Sequence, residues 1–320
     1  MLYIFLIVCL IGVLLYFARQ FFAGGRCYSD AKLDGKTVII TGGNTGIGKE
    51  TAKDLAGRGA KVIIACRNVE KGESVRQFIK NTTGSQNVEV QKLDLASLSS
   101  VRDFVKEFQA REQSLDILIN NAGVMFCPQW ETEDGFDLQF GTNHLGHFLL
   151  TNLLMDLLKR SSAARIINVS SIGHFFCKHL DLDDLNFKRR PYSATMVYFQ
   201  SKLANIMFTK ELARRLKGTT VTAYALHPGA VNTELMRHMS ETWWFSEFLL
   251  KLVAPINYIA YKTPEEGAQT SIYCAVTPGI EKESGSYFSD CTKKKSSDLS
   301  YDDDLARKLW DVSCEMVGLE

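Results

Sequence analysis

Tyr198 and Lys202 lie four residues apart in a stretch that predicts a helix, so their side chains share one face. A free tyrosine hydroxyl has a pKa near ~10, which is too high for a base at neutral pH. A lysine ammonium one turn away favours the phenolate and is expected to lower the pKa of Tyr198, which suits this residue to proton transfer. Because this spacing is common in surface pairs, it indicates a catalytic pair only together with other motifs.

A glycine-rich turn, Thr41–Gly48, comes directly after the apolar run 37–40 and before a helical stretch. Glycines at 42, 46 and 48 allow a tight turn and a close approach of a pyrophosphate to the backbone. The helix that follows offers free N–H groups and the positive end of its dipole. A merely tight turn is the alternative, but the position between a strand and a helix favours a dinucleotide site.

The residues after the second predicted strand bear on the choice of dinucleotide. A fold that prefers NAD places an acid about 20 residues after the glycines, where it binds the ribose 2′-hydroxyl. This chain has Cys66 and then Arg67 at that point. A carboxylate would repel a 2′-phosphate, whereas a guanidinium can pair with it in a planar, bidentate way. The sequence therefore favours NADP(H), with an exposed arginine in a turn as the alternative.

Apolar runs that alternate with helical stretches must position these residues. Strands are predicted at 37–40, 61–65, 88–93, 117–119, 165–169 and 220–226, and helices at 49–58, 69–80, 98–112, 143–159 and 196–216. Continuous apolar strands indicate burial on both faces, and helical crossovers indicate a parallel sheet. We expect a single Rossmann-like, doubly wound α/β domain over residues 36–320, after a linker at 23–35.

Residues 1–22 are predicted to form a membrane anchor, because the first charged side chain is Arg19. About 18–22 helical residues span roughly 27–33 Å, close to the thickness of a hydrocarbon core. A cleaved signal peptide is the alternative, since small residues follow at 23–25, but no Lys or Arg precedes the apolar run. Arg26, Lys32 and Lys36 also follow the span, so the positive-inside rule predicts a single-pass protein with a cytosolic catalytic domain.

A second apolar segment, at about residues 234–262, is rich in aromatic side chains. Pro255 argues against a second spanning helix. Two interpretations stay open: a pair of helices packed in the core, or an apolar lid or membrane-contacting helix that borders a lipid site.

Composition narrows the classes of partner. A net charge of +1 and the lack of a basic repeat predict no nucleic-acid binding. The eight cysteines form no CxxC pair and have no histidine at zinc-ligand spacing. His144 and His147 have no third ligand nearby, so a structural role is expected for both and no metal site is predicted.

Five motifs in order resemble the short-chain dehydrogenase/reductase family over roughly residues 36–233. They are the TGxxxGxG turn Thr41–Gly48, the NNAG sequence Asn120–Gly123, the strand end Asn168–Ser171, the YxxSK sequence Tyr198–Lys202, and the PGxVxT-like segment Pro228–Thr233. The joint match makes the Tyr198–Lys202 pair informative.

The resemblance implies roles for individual residues. Tyr198 would be the general acid or base, Lys202 would also hold the nicotinamide ribose, and Ser171 would hydrogen-bond the substrate oxygen. Asn143 would organise a water in a proton relay. The choice of Ser171 over Ser170 rests on the resemblance alone. The residues implied to bind NADP(H) are Gly42, Gly43, Asn44, Thr45, Gly46, Ile47, Gly48, Arg67, Asp94, Leu95, Asn121, Ala122, Gly123, Tyr198, Lys202, Pro228, Gly229, Val231 and Thr233.

A closer resemblance, covering nearly the whole chain, is to the microsomal retinol dehydrogenases that act as retinal reductases. Segments that carry it include Ala65–Arg67, Lys92–Ala96, Asn143–Phe148, Ser201–Asn205 and Tyr287–Cys291. It implies NADPH-dependent reduction of a retinoid-like substrate, most of all all-trans-retinal, at the endoplasmic reticulum membrane, and it is compatible with a homodimer.

Two alternatives to retinal reduction stay open at this point. One is a reductase of other hydrophobic carbonyls, such as steroids or lipid-derived aldehydes. The other is a non-catalytic nucleotide-binding scaffold at the membrane. The presence of Asn143, Ser171, Tyr198 and Lys202 together argues against the scaffold.

Overall fold

The computed structural model describes residues 1–233 and 260–319. The strands are β1 (Thr37–Thr41), β2 (Lys61–Cys66), β3 (Val88–Lys92), β4 (Ile117–Asn120), β5 (Arg165–Val169), β6 (Thr222–His227), β7 (Tyr287–Ser289) and β8 (Thr292–Lys294). In the described residues they form one sheet in the order β3-β2-β1-β4-β5-β6-β7-β8. Strands β1 to β7 pair in parallel, and β8 runs antiparallel to β7. The six predicted strands and the Rossmann-like fold are confirmed; the antiparallel edge strand is a departure from the predicted parallel sheet.

Two layers of helices cover the sheet. The α-helices are α1 (Leu2–Ala23), α2 (Gly46–Gly57), α3 (Val69–Thr83), α4 (Leu98–Arg111), α5 (Leu138–Phe140), α6 (Gly146–Leu153), α7 (Met155–Arg160), α8 (Ala194–Arg215), α9 (Pro264–Val276) and α10 (Asp303–Val317). Helices α2, α3 and α9 pack on one face, and α4, α6, α7, α8 and α10 on the other. Neighbouring β1 residues, Ile39 and Ile40, point into opposite layers. This burial on both faces explains why the strands read as continuous apolar runs.

The predicted helix at 143–159 is interrupted, and this prediction was wrong in its continuity. A π-helical turn, Gly141–Leu145, lies between α5 and α6, and a break near Leu154 separates α6 from α7. Gly146 packs so closely on the chain before α4 that a Cβ atom there would lie 2.5 Å from the Leu95 carbonyl oxygen. The wide turn places Asn143 behind the carboxyl end of β4, and such turns are frequent at functional sites.

The hairpin β7–β8 was absent from the sequence-based prediction. Its two-residue turn, Asp290–Cys291, has both residues in the left-handed region, with φ of 52° and 55°. Turns of this kind usually carry Asn-Gly or Asp-Gly, so the sequence offered no such signal. Three-residue strands also give too short a pattern to recognise.

The C-terminal helix α10 completes the layer that contains α6 and α8. Trp310 packs on Phe148 and Phe208, with ring centroids 4.9 and 5.7 Å apart. Ser313 shares a hydrogen bond of 3.0 Å with His144 Nε2. The core behind α8 is therefore closed by α10.

Helix α1 carries large apolar side chains that are exposed, and its segment Phe5–Ala23 is long and apolar enough to cross a membrane. The predicted linker at 23–35 lies against the domain: Arg58 Nη1 donates to the Ser29 and Ala31 carbonyl oxygens, and Leu33 is buried. Most of the predicted apolar segment, about 234–262, lies outside the described residues.

Candidate active site

A cavity of about 580 Å³ lies at the carboxyl ends of the parallel strands. All residues predicted to bind the cofactor line it except Gly43, which packs against Ile64 and the Ile40 carbonyl oxygen. Ser171, Tyr198 and Lys202 line the same cavity. The motifs thus come together at one edge of the sheet, where open α/β folds bind their ligands.

The glycine turn forms a close-fitting cradle at the start of α2. Gly42 and Gly46 have left-handed backbone, with φ of 65° and 52°. A Cβ atom at Gly48 would overlap the Gly42 carbonyl oxygen and lie 2.6 Å from Asn121 Nδ2. The first turn of α2 contains no acidic side chain, and Thr45 at its N-cap makes no side-chain capping hydrogen bond. The free amides of this turn fit a pyrophosphate.

Thr41 ties the NNAG turn to the end of β1. Its hydroxyl accepts hydrogen bonds from the amides of Asn121 and Ala122, at 2.9 and 3.0 Å, and Asn121 Nδ2 donates to the Thr41 carbonyl oxygen at 2.7 Å. His147 Nε2 also contacts the Thr41 hydroxyl, at 2.9 Å. Burial lowers the pKa of His147 to about 3, so a neutral imidazole serves this structural network.

Replacement of Gly48 by alanine tests the cradle. We expect NADPH binding to weaken about tenfold or more, because the added Cβ atom must displace the Gly42 carbonyl oxygen and Asn121 Nδ2, and a distortion of the cradle that costs ~1.4 kcal/mol of binding free energy is a factor of ten. Gly57→Ala in the same helix is a matched control, since its Cβ would make an ordinary 3.6 Å contact with Thr83. NADPH fluorescence titration gives both dissociation constants; equal affinities for the two variants would refute the cradle.

Two cations lie beside the end of β2. Arg67 is exposed and Lys71 is partly buried, and both line the cavity with Asn68, whose side chain caps α3 by accepting the Lys71 amide at 2.8 Å. Among the described residues that line the cavity, Asp94, which follows the neighbouring strand β3, is the residue with a carboxylate side chain. Asp94 Oδ1 accepts the Ala96 amide at 3.0 Å and so holds its own turn.

Tyr198 is 4% exposed on α8, with its ring edge-on to Phe126 at 5.4 Å. Burial raises the pKa of Tyr198 to about 12, and a hydrogen bond from Ser171 opposes that shift. The expected lowering of this pKa by Lys202 was wrong for the protein in this structure. Lys202 Nζ lies 5.7 Å from the Tyr198 ring centroid and donates to the Val169 carbonyl oxygen, and burial lowers its own pKa to about 8.

The two candidate serines have different partners. Ser170 is buried, and its hydroxyl donates to the Lys202 carbonyl oxygen at 2.6 Å, which fixes β5 to α8. Ser171 is partly exposed; its hydroxyl accepts the Gly173 amide at 3.1 Å and bonds to Tyr198. This geometry favours Ser171 as the serine that meets a substrate oxygen.

Asn143 is fully buried and lies behind the cavity lining. Its side chain joins Val124 to Ser201: Oδ1 accepts the Val124 amide at 2.9 Å, and Nδ2 donates to the Val124 carbonyl oxygen and the Ser201 hydroxyl at 3.0 Å. Its main-chain carbonyl oxygen faces His147 Nδ1 and accepts from Asn205 Nδ2. Asn143 thus positions the NNAG turn against α8.

Two further polar side chains of the cavity are Thr142, which sequence reasoning missed, and His227, for which it predicted a structural or pocket-lining role. His227 Nδ1 and Thr142 Oγ1 are buried without a hydrogen-bond partner within the described part of the chain, and both residues line the cavity. Burial lowers the pKa of His227 to about 4. His227 directly precedes Pro228-Gly229 at the end of β6, a motif that was already expected to line the cofactor site. Thr142 offered no comparable signal.

Similar proteins identify the family. Residues 36–180 and 186–243 match the short chain dehydrogenase family. Retinol dehydrogenase 11 of Homo sapiens is 50% identical, covering 98% of this chain and 97% of that one. The crystal structure of an uncharacterized protein from Mycobacterium paratuberculosis has a TM-score of 0.74 and 36% identity, over 93% of this chain and 98% of that one. The Pseudomonas aeruginosa RhlG/NADP active-site complex has a TM-score of 0.63 and 25% identity, over 80% and 95%. The chain therefore belongs to the short chain dehydrogenase family of nicotinamide-dependent oxidoreductases.

Proposed function

We propose that this protein is an NADP(H)-dependent oxidoreductase that interconverts retinal and retinol, and that its main reaction is the reduction of all-trans-retinal. The observation that carries the proposal is the buried Tyr198 hydroxyl, bonded to Ser171 inside the cavity that contains the glycine cradle. The 50% identity with retinol dehydrogenase 11 over nearly the full length of both chains supports the retinoid as substrate.

The residues of the site divide the work of aldehyde reduction. The nicotinamide, when bound, supplies the hydride to the carbonyl carbon. Ser171 donates a hydrogen bond to the aldehyde oxygen, and Tyr198 donates its phenolic proton to the same oxygen as negative charge develops there. Lys202, whose Nζ lies 5.7 Å from the Tyr198 ring centroid, would in its cationic form hold the nicotinamide ribose when the cofactor is bound. Asn143 acts from behind, by holding the NNAG turn and Ser201 in place.

NADP(H) is the proposed cofactor because Arg67 and Lys71 both line the cavity beside the end of β2. A guanidinium and an ammonium there match the charge of a 2′-phosphate. The RhlG/NADP complex, which has the same fold, gives independent support for a cofactor of this kind.

A lipid substrate agrees with the proposed location of the protein. We infer that α1 anchors the chain in the endoplasmic reticulum membrane with the catalytic domain in the cytosol, since Arg19, Arg26 and Lys32 follow the apolar run. Protease protection of microsomes tests this orientation.

We also propose that the protein forms a homodimer. Light scattering of the purified protein tests this by its molar mass.

A competition assay separates the proposed substrate from its rivals. The purified enzyme with NADPH is offered all-trans-retinal, a cis-retinal, a ketosteroid and a medium-chain aldehyde together, and the products are quantified. We expect all-trans-retinol to dominate. Preference for the ketosteroid would move the assignment to a reductase of other hydrophobic carbonyls.

The pH dependence of the free enzyme follows from the two buried groups. Lys202, with a pKa of about 8, loses its charge as pH rises through 8, whereas Tyr198, with a pKa of about 12, keeps its proton throughout. We therefore expect kcat/KM for NADPH in retinal reduction to be constant below pH 7 and to fall about tenfold per pH unit well above 8. Lys202→Arg, which stays charged, should lose this alkaline fall. A flat wild-type profile from pH 7 to 10 would contradict the assignment.

A further inference from the structure

The C-terminal end of α1 is bound to the catalytic domain. Arg19 Nη2 donates to both carboxylate oxygens of Glu266, at 2.7 and 2.6 Å. The two side chains keep 22% and 12% of their exposure. Glu266 lies in the first turn of α9, where its carboxylate also accepts the Thr263 amide in a capping box. The ion pair therefore fixes α1 to the start of one helix of the domain.

The chain that leaves α1 makes a second contact. Gly24 has left-handed backbone with φ of 74°, and the Gly25 amide donates to the Asp290 carboxylate. A Cβ atom on either glycine would overlap Asp290. Asp290 in turn pairs with Lys262, with 2.5 Å between Oδ1 and Nζ, and the lysine side chain is 7% exposed. The two glycines let the chain lie directly on this ion pair.

Lys262 connects the second contact to the cavity wall. Its amide donates to the Ala230 carbonyl oxygen at 2.8 Å, and its carbonyl oxygen accepts the Asn232 amide at 3.1 Å. Its side chain passes Gly229, where a Cβ atom would lie 2.7 Å from Lys262 Cδ. Gly229 lines the cavity.

The first contact reaches the same wall through α9. Gly267, adjacent to Glu266, packs against Val231 so closely that a Cβ atom would lie 2.6 Å from Val231 Cγ2. Val231 lines the cavity beside Gly229. Two separate chains of contacts therefore run from the end of α1 to the cavity rim, residues 228–233.

We propose that these contacts, the anchor clamp formed by Arg19–Glu266 and Gly24-Gly25 on Asp290–Lys262, hold the cavity rim at the surface of the bilayer, so that the aldehyde enters directly from the lipid. The proposal rests on the proposed membrane anchoring and lipid substrate. The 22 residues of α1 span about 33 Å at 1.5 Å each, close to the ~30 Å hydrocarbon core. Arg19 and the clamp therefore lie at the lipid–water interface, and the rim is joined to the clamp through Gly267 on one path and Lys262 on the other.

The clamp gives the substrate a route that avoids water. A retinoid partitions into lipid, and a cavity that tumbled freely on a loose linker would receive it only by way of water or by chance contact. A clamped rim keeps one orientation relative to the bilayer surface, so the aldehyde can pass from the lipid into the cavity. The clamp is therefore expected to affect the KM for a membrane-dissolved aldehyde and to leave the KM for NADPH unchanged, because NADPH arrives from water and neither Arg19 nor Glu266 lines the cavity in the described residues.

Full-length protein in phosphatidylcholine vesicles tests the clamp, with all-trans-retinal expressed as a mole fraction of the lipid. We expect Arg19→Glu to raise the apparent KM for retinal at least fivefold while the KM for NADPH stays within twofold. Arg26→Glu is the matched control, because Arg26 carries the same charge in the same segment and is exposed; its retinal KM should stay within twofold of wild type. Arg19→Glu combined with Glu266→Arg restores the pair and should restore the retinal KM.

Equal retinal KM values for Arg19→Glu and Arg26→Glu, or no rescue by the exchanged pair, would overturn the clamp. Arg19→Gln, a milder change, gives the same comparison should Arg19→Glu fold poorly, and thermal unfolding of each variant identifies such a loss. Amide hydrogen exchange of residues 260–267, measured in vesicles without substrate, reports whether α1 is bound to the domain. We expect faster exchange in the Arg19 variants than in wild type, and unchanged exchange would contradict the binding of α1. If the wild-type enzyme did not reduce retinal but the Arg19 variants still exchanged faster than wild type, the proposed function would be overturned and the contact between α1 and the domain would be supported.

Discussion

Tyr198→Phe is expected to lower kcat for retinal reduction about 10³-fold while the dissociation constant for NADPH stays within twofold. The substitution removes the hydroxyl that we propose as the proton donor and that bonds to Ser171, and positioned proton transfer contributes roughly 10²–10⁴-fold to rate. The phenyl ring keeps its edge-on contact with Phe126, so no cavity is created. Single-turnover oxidation of NADPH measures the chemical step, and fluorescence titration measures cofactor binding.

Tyr192→Phe is the matched control for this experiment. The Tyr192 hydroxyl donates to the Cys127 carbonyl oxygen at 2.9 Å and accepts from Gln139 Nε2 at 3.1 Å. Its loss should cost about 1 kcal/mol of stability and leave kcat within a few fold. A Tyr198→Phe enzyme that kept more than a tenth of wild-type kcat would refute Tyr198 as the proton donor.

Arg67→Asp is expected to raise the KM for NADPH about 10²-fold and to leave the KM for NADH unchanged or lower. Loss of a charge-assisted pair costs about 1.5–3 kcal/mol, and the new carboxylate adds repulsion of the 2′-phosphate while it can accept a ribose 2′-hydroxyl. The ratio of kcat/KM for the two cofactors, measured with one aldehyde, reports the change. Lys71→Ala should move the ratio in the same direction, because both cations line the cavity. The factor should be smaller, because alanine removes a charge without adding a carboxylate.

A change of charge elsewhere on α3 provides the control for the cofactor switch. Arg76 pairs with Glu73 at the exposed surface and does not line the cavity in the described residues. Arg76→Asp changes the net charge by the same amount as Arg67→Asp and should leave both KM values within twofold. If both variants raised the two KM values alike, the 2′-phosphate assignment to Arg67 would be wrong.

The central sheet was predictable because its strands are buried on both faces. Runs such as Val38–Ile40 and Val62–Ala65 have no partly exposed face, so they are continuous in apolar residues and bounded by turns. The hairpin β7–β8 was not predictable from pattern, because its strands have three residues each and its turn uses Asp290–Cys291 without glycine. The interruptions of the helix at 143–159, a π-helical turn at Gly141–Leu145 and a break at Leu154, carry no glycine–proline or capping signal that a local pattern would record.

The site was predictable in position and less so in electrostatics. The family resemblance of the ordered motifs implied that the glycine turn, Ser171, Tyr198 and Lys202 share one site, and residues of all of them line one cavity. The direction of the Tyr198 pKa was wrong because a shift depends on burial as well as on charge, and both partners lose solvent here. The remote partners of Asn143, such as Val124 and Ser201, follow from tertiary contacts across the fold.

The position of α10 sets an order of events during synthesis. Helix α8 carries Tyr198, and its Phe208 packs against Trp310 of α10, so the burial of this part of α8 waits for the synthesis of α10. At roughly 5–20 residues per second, the chain between α1 and α10 takes on the order of 15–60 s to make. Throughout that time an anchored α1 would hold the nascent polypeptide at the membrane with the apolar face of α8 uncovered. Folding of this domain is therefore expected to finish only once α10 has left the ribosome and, with α1 anchored, beside the bilayer.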